Sequence, residues 1–232
     1  MANGRMAAAV GAAALAALLA GGGAAAAGGT DMVFRTGALE NVETGRTLVY
    51  GHTRVAPEEG RDGEPGLEDG RILLTLNETG ERAGRAAVVV MERSEDRWRR
   101  LDPFPGGAEA GNPVLLAFLE LATGAVSKAT GGNPHYVRNR IRDAFRAGGE
   151  TEAATVTAGG ESMPVTRISY RPFEGDPNAT ALGAFEGLTL TFEVAEEAPG
   201  HFVRLLASTG GAEAVYREEI ALRPGAPADL PD

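Results

Sequence analysis

The alternation of apolar and polar positions divides the chain into a run of strands, two helices and a second run of strands. Thr47 to Val55 (TLVYGHTRV) is dense in β-branched and aromatic residues and reads as a strand. An acidic Gly/Pro-rich loop is expected over 57–70. After it, Ile72, Leu74 and Leu76 share one face of a strand from Arg71 to Glu78. Ala86 to Arg93 (AAVVVMER) reads as a central strand and Trp98 to Leu101 as a short one. Further on, 153–158 and 162–170 flank Gly159-Gly160, a hairpin signal. Leu188, Leu190, Phe192 and Val194 alternate with Thr189, Thr191 and Glu193, which predicts one buried and one wet face. Segments 201–208 and 214–222 continue the meander, and 224–232 is a Pro-rich tail expected to be disordered.

The helices open on the same signal. Asn112-Pro113 and Asn133-Pro134 each place Asn at an N-cap and Pro in the first turn, where its missing N–H costs nothing. The first helix is expected from Pro113 to about Ala129. The second runs from Pro134 to about Ala147 and stops at Gly148-Gly149. Strands joined by short turns must pair antiparallel. The predicted fold is therefore α+β, a single domain over 28–223. The first helix is apolar on almost every side, from Val114 and Leu115 to Ala125 and Val126. Such a helix needs cover on most sides, and a curved antiparallel sheet of about nine strands, a half-barrel wrapped around both helices, supplies it.

That apolar helix carries the first candidate site. If helix and sheet leave a gap, Leu115, Phe118 and Leu119 would line a cavity for an apolar ligand; the alternative is a helix that is simply core. The second candidate lies on the next helix, where Arg138, Arg142 and Arg146 recur at i, i+4 and i+8, with His135 and Arg140 nearby. Guanidinium groups fork onto carboxylate, phosphate or anionic lipid heads. Pairing with the surplus acids of the chain is the competing reading.

Composition narrows the rest. The first 27 residues have the order of a cleavable secretory signal: Arg5, the apolar run Met6 to Ala20, three glycines, and small residues up to a cut near Ala27. Fifteen residues span only about 22 Å as a helix, short of a ~30 Å hydrocarbon core. No integral membrane segment is expected after cleavage. The chain has no Cys, so neither a lipid-anchored Cys nor a disulfide is available. Arg outnumbers Lys 21 to 1, a bias of GC-rich bacterial genomes that makes the periplasm the expected location. The formal charge is −10, and loss of Arg5 with the signal makes it −11. Nucleic acid is thus an unsuitable partner.

Catalytic and cofactor signatures are missing. The three histidines, His52, His135 and His201, stand on different elements without HExxH spacing, and no nucleophile elbow, phosphate loop or dinucleotide fingerprint is present. Glu58, Glu59, Asp62, Glu64, Glu68 and Asp69 offer oxygen ligands, but not at EF-hand spacing. Trp98 among Arg97, Arg99 and Arg100 is either a recognition aromatic or the cover of a sheet edge.

The stretch Asn112-Pro113, Phe118-Leu119-Glu120 and Thr130-Gly131-Gly132-Asn133-Pro134-His135-Tyr136-Val137-Arg138-Asn139-Arg140-Ile141 resembles an uncharacterised family of exported alphaproteobacterial proteins. In layout the chain is similar to the periplasmic lipoprotein-carrier half-barrels, in which a curved antiparallel sheet encloses helices. That likeness implies binding of acyl chains or other hydrophobic ligands. The leading expectation is a soluble, non-enzymatic periplasmic protein with an apolar or amphiphilic ligand and no cofactor. The alternative is an envelope interaction protein with a fully packed core.

Overall fold

The structure, a computed structural model, describes residues 22–56, 66–79, 84–93, 97–100, 111–210 and 214–226. Helix α1 (Gly22–Val33) precedes β1 (Thr47–Ala56), β2 (Gly66–Thr79), β3 (Gly84–Arg93) and β4 (Arg97–Arg100). Helices α2 (Val114–Thr130) and α3 (Pro134–Ala147) follow, then β5 (Glu150–Ala158) and β6 (Glu161–Tyr170). A short helix α4 (Ala179–Leu182) runs into a 3-10 turn (Gly183–Gly187), and β7 (Thr189–Val194), β8 (Phe202–Ser208) and β9 (Arg217–Leu222) complete the chain.

The nine strands among the described residues form one open antiparallel sheet in the order β4-β3-β2-β1-β9-β8-β7-β6-β5. The first and last strands meet in the middle. The two edges, β4 and β5, are consecutive in the chain, and the connection between them carries α2 and α3 across one face. A flat sheet of nine strands would be about 38 Å wide, more than two helices of ~10 Å diameter can cover. Yet one continuous core joins α2 and α3 to Leu48 and Tyr50 of β1, Leu74 of β2, Val89 of β3 and the inner residues of β6 to β9. The sheet therefore curves around the helices as a half-barrel.

Register explains how that inner face is built. His52, Ile220, Leu205, Phe192 and Ile168 lie directly across from one another over five neighbouring strands. The next row is Arg54, Glu218, Ala207, Leu190 and Tyr170. On the outer face Val49 and Leu73 form a small separate cluster with Val88 and Ala226.

Three expectations change. The loop over 57–70 is shorter, because β1 and β2 continue pairing out to Ala56 opposite Gly66, so Glu68 and Asp69 belong to a strand; 57–65 lie outside the described residues. Glu193 is not on a wet face. It is 1% exposed, because the register sets Arg167 on one side of it and Arg204 on the other, and both guanidinium groups close over its carboxylate at 2.7–2.9 Å. Finally, Gly22 and Gly23, two of the three glycines in the signal-like segment, lie within helix α1. Tertiary contacts hold that helix: the Thr30 hydroxyl donates to the Phe145 carbonyl at 3.0 Å, and Val33 is buried. Of the tail, Ala226 packs on the outer face and 227–232 lie outside the described residues.

Candidate functional site

Both helices are positioned by their caps. The Asn112 side chain accepts from the Val114 amide at 3.0 Å, and its amide donates to the Tyr50 hydroxyl at 3.1 Å and the Gly200 carbonyl at 2.8 Å. One buried residue thus starts α2 and fastens it to β1 and to the turn before β8. Asn133 caps α3 through the His135 amide at 2.9 Å. Between them Gly131 takes a left-handed conformation, φ 67°, and turns the chain back.

Helix α2 buries Val114, Leu115, Ala117, Phe118, Ala122 and Val126 against the sheet. Its apolar surface is wider than that contact, and the remainder faces α3 and solvent. There a groove of about 470 Å³ is lined by Phe34, Leu116, Leu119, Glu120, Thr123, Arg138, Ile141, Arg142 and Phe145. Phe34, just past α1, closes one end by standing edge-on to Phe145 at 4.9 Å. Among the described residues four large apolar side chains are exposed, Met32, Phe34, Leu116 and Val215, and two of these share the groove. Clustered exposure of this kind marks binding surfaces more than scattered exposure does.

The rim is charged. Glu120 and Arg138 bridge α2 and α3 as a two-pronged pair, Nε to Oε1 at 2.9 Å and Nη2 to Oε2 at 2.7 Å. The hydrogen bonds from Arg138 hold the Glu120 carboxyl below its ordinary value, against an opposing effect of burial. One turn along α3, Arg142 donates to the neutral Asn139 side chain at 3.2 Å.

The residues singled out from sequence separate here. Leu119, Arg138 and Arg142 come together in the groove. Leu115 and Phe118 point the other way, into the core, where Phe118 meets Phe192 edge-on at 5.7 Å. Arg146 pairs with Asp143 at 3.2 Å. Leu116 and Thr123 were not singled out, although 116, 119, 120 and 123 form a one-face stripe on α2, as 138, 141, 142 and 145 do on α3. Phe34 had no such signal, since only the tertiary fold brings it there.

Three other polar clusters compare poorly as sites. On the inner face Glu218, fully buried, binds His52 Nε2 through Oε1, accepts from the Tyr216 hydroxyl at 3.2 Å and lies 3.5 Å from Arg54 Nε. Burial, then the adjacent Glu218 charge, pushes the Tyr216 hydroxyl well up. Those charges pair with one another within the fold. Asp176 joins Tyr136 at 2.6 Å and Arg140 at 2.7 Å, tying α3 to the loop after β6. Burial would raise its carboxyl, but the bonds from Tyr136, the Asn178 amide and Arg140 outweigh that and hold it low. On the outer face a cleft of about 310 Å³ under the β5–β6 hairpin contains Glu193 and Glu219, already neutralised by Arg167, Arg204 and Arg217. His52, His135 and His201 do not converge, and among the described residues no group of three or more His, Asp or Glu could hold a metal ion. Trp98 lies on β4, its side chain outside the described residues.

No family model and no curated protein matches the chain. Among solved structures it is similar to the lipoprotein LppX of Mycobacterium tuberculosis, with 11% identity over 90% of this chain and 100% of that one and a TM-score of 0.33. A likeness so distant does not bear on function, which has to be read from the groove itself.

Proposed function

We propose that the protein is an exported, non-enzymatic binding protein that holds an apolar or amphiphilic ligand in the groove between α2 and α3. The observation that carries this reading is the groove's composition: Phe34, Leu116, Leu119, Ile141 and Phe145 along its walls, with Arg138 and Arg142 at the rim. Its volume of about 470 Å³ falls within the ~300–1,000 Å³ typical of small-molecule sites. Export is supported by the signal-like order of residues 1–27. Among the described residues no helix is long and apolar enough to cross a membrane.

An envelope protein partner is the second reading. Phe118 lies directly on Phe192, so α2 is packed at that point, and an open apolar groove also suits the apolar face of a partner helix. Native mass spectrometry of the protein purified from its host separates these readings. The ligand reading expects a small-molecule adduct that disappears when Leu116 and Leu119 are both changed to Glu. Repeated absence of an adduct, or an adduct indifferent to those changes, would overturn it, and a co-purifying protein would favour the partner.

A further inference from the structure

The rim of the groove holds three charged side chains, and their pairing is unequal. Both oxygens of Glu120 are engaged by Arg138, so that pair adds no net charge. Arg142, exposed and one turn further along α3, hydrogen-bonds the neutral Asn139 side chain, and among the described residues no acid forms a salt bridge with it. The rim therefore offers a single uncompensated positive charge beside an apolar trough, in a protein whose net charge is −10.

We infer that the groove selects single-chain amphiphiles with a singly charged anionic head, that Arg142 anchors the head, and that Glu120 excludes doubly charged heads. This rests on the groove being the ligand site. A carboxylate can take two parallel hydrogen bonds from a guanidinium group, the strongest geometry open to Arg142. A second negative charge on the head would find no further free cation on the rim, because Arg138, the other guanidinium there, is held by both Glu120 oxygens and would have to be drawn away from them. Leaving a charge unpaired in this way is how a site rejects a near relative of its ligand. The groove's volume of about 470 Å³ lies in the lower half of the usual range, which suits one chain rather than two.

Three probes with the same tail test this by calorimetric titration at pH 8: dodecanol, dodecanoate and dodecyl phosphate, each below its aggregation threshold. At that pH the phosphate monoester is a dianion. Dodecanoate is expected to bind about tenfold more tightly than dodecanol, and dodecyl phosphate no more tightly than dodecanol. Arg142→Gln should bring dodecanoate down to the dodecanol level and change dodecanol binding far less. Glu120→Gln should raise dodecyl phosphate binding about tenfold and alter dodecanoate less. Both positions are exposed, and circular dichroism confirms that each variant is folded before titration. Equal binding of dodecanoate and dodecanol by the unmodified protein, or an Arg142→Gln variant that still prefers dodecanoate, would overturn the inference. If dodecanol binds but charge makes no difference, only the head-group selection fails; if none of the three binds, the groove itself is not the ligand site.

Discussion

Asn112 holds three contacts that α2, β1 and the turn before β8 all depend on. Its role as a cap is legible in the Asn-Pro pair, but its bonds to Tyr50 and Gly200 join residues 62 and 88 positions away and leave no local trace. Asn112→Ala removes the cap and strands a buried hydroxyl and carbonyl, so a loss of about 2–3 kcal/mol is expected in urea denaturation. Glu193 shows the converse: alternation identified its face correctly but not its burial, because cross-strand neighbours are invisible until the register is known. His201 supplies a pH-dependent test. Burial, with the nearby Arg35 charge, lowers its pKa below 6.5, and its Nε2–H donates to the Met32 carbonyl of α1 at 2.9 Å. The unfolded chain then takes up the proton first, so this contribution to stability is complete above pH 6.5 and is lost as pH falls through the lowered folded value. His201 also has φ 73°, a conformation that Asn tolerates. His201→Asn should therefore reduce the fall in Tm between pH 7.5 and 5; an unchanged fall would remove His201 as its source.

At the scale of elements, strands and helices were legible wherever the apolar period was uninterrupted, and α3 has the bounds its caps indicate. Helix α1 was not legible. Its four glycines have poor helix propensity, and packing of Gly29, Thr30 and Val33 on β5, β6 and α3 sustains it. The joint between α3 and β5 is equally tight. A Cβ on Gly149 would lie 2.8 Å from the Tyr170 ring and 2.9 Å from the Ser169 carbonyl oxygen, and the backbone atom cannot swing away. Gly149→Ala is thus expected to cost about 1–3 kcal/mol as overpacking, read as a lowered midpoint of chemical denaturation. The apolar excess of α2 was plain in the sequence, but which side of it stayed open was not. Leu115 and Phe118 are turned inward by the same helical rotation that leaves Leu116 and Leu119 to the groove.

For the whole molecule, the decisive feature is that β1 and β9 are neighbours while β4 and β5 form the edges. An antiparallel meander of nine strands could be anticipated from the turn signals. The junction of its two ends could not, since nothing local encodes pairing across 160 or so residues. That junction carries the long-range contacts whose loop-closure cost slows folding. Weakening it through Ile220→Ala, a fully buried position, is expected to cost about 2–5 kcal/mol, visible as a shifted chevron in stopped-flow refolding. The curved sheet leaves its helix layer open on the outer side, and the groove lies in that layer. The most direct test is a titration of the isotope-labelled protein with dodecanoate, followed through backbone and methyl resonances. Shifts should concentrate on Phe34, Leu116, Leu119, Thr123, Ile141 and Phe145 and spare the sheet core at Leu48, Ile72, Leu74 and Leu205. Shifts centred on that core, or none at saturating dodecanoate, would contradict the groove as the binding site.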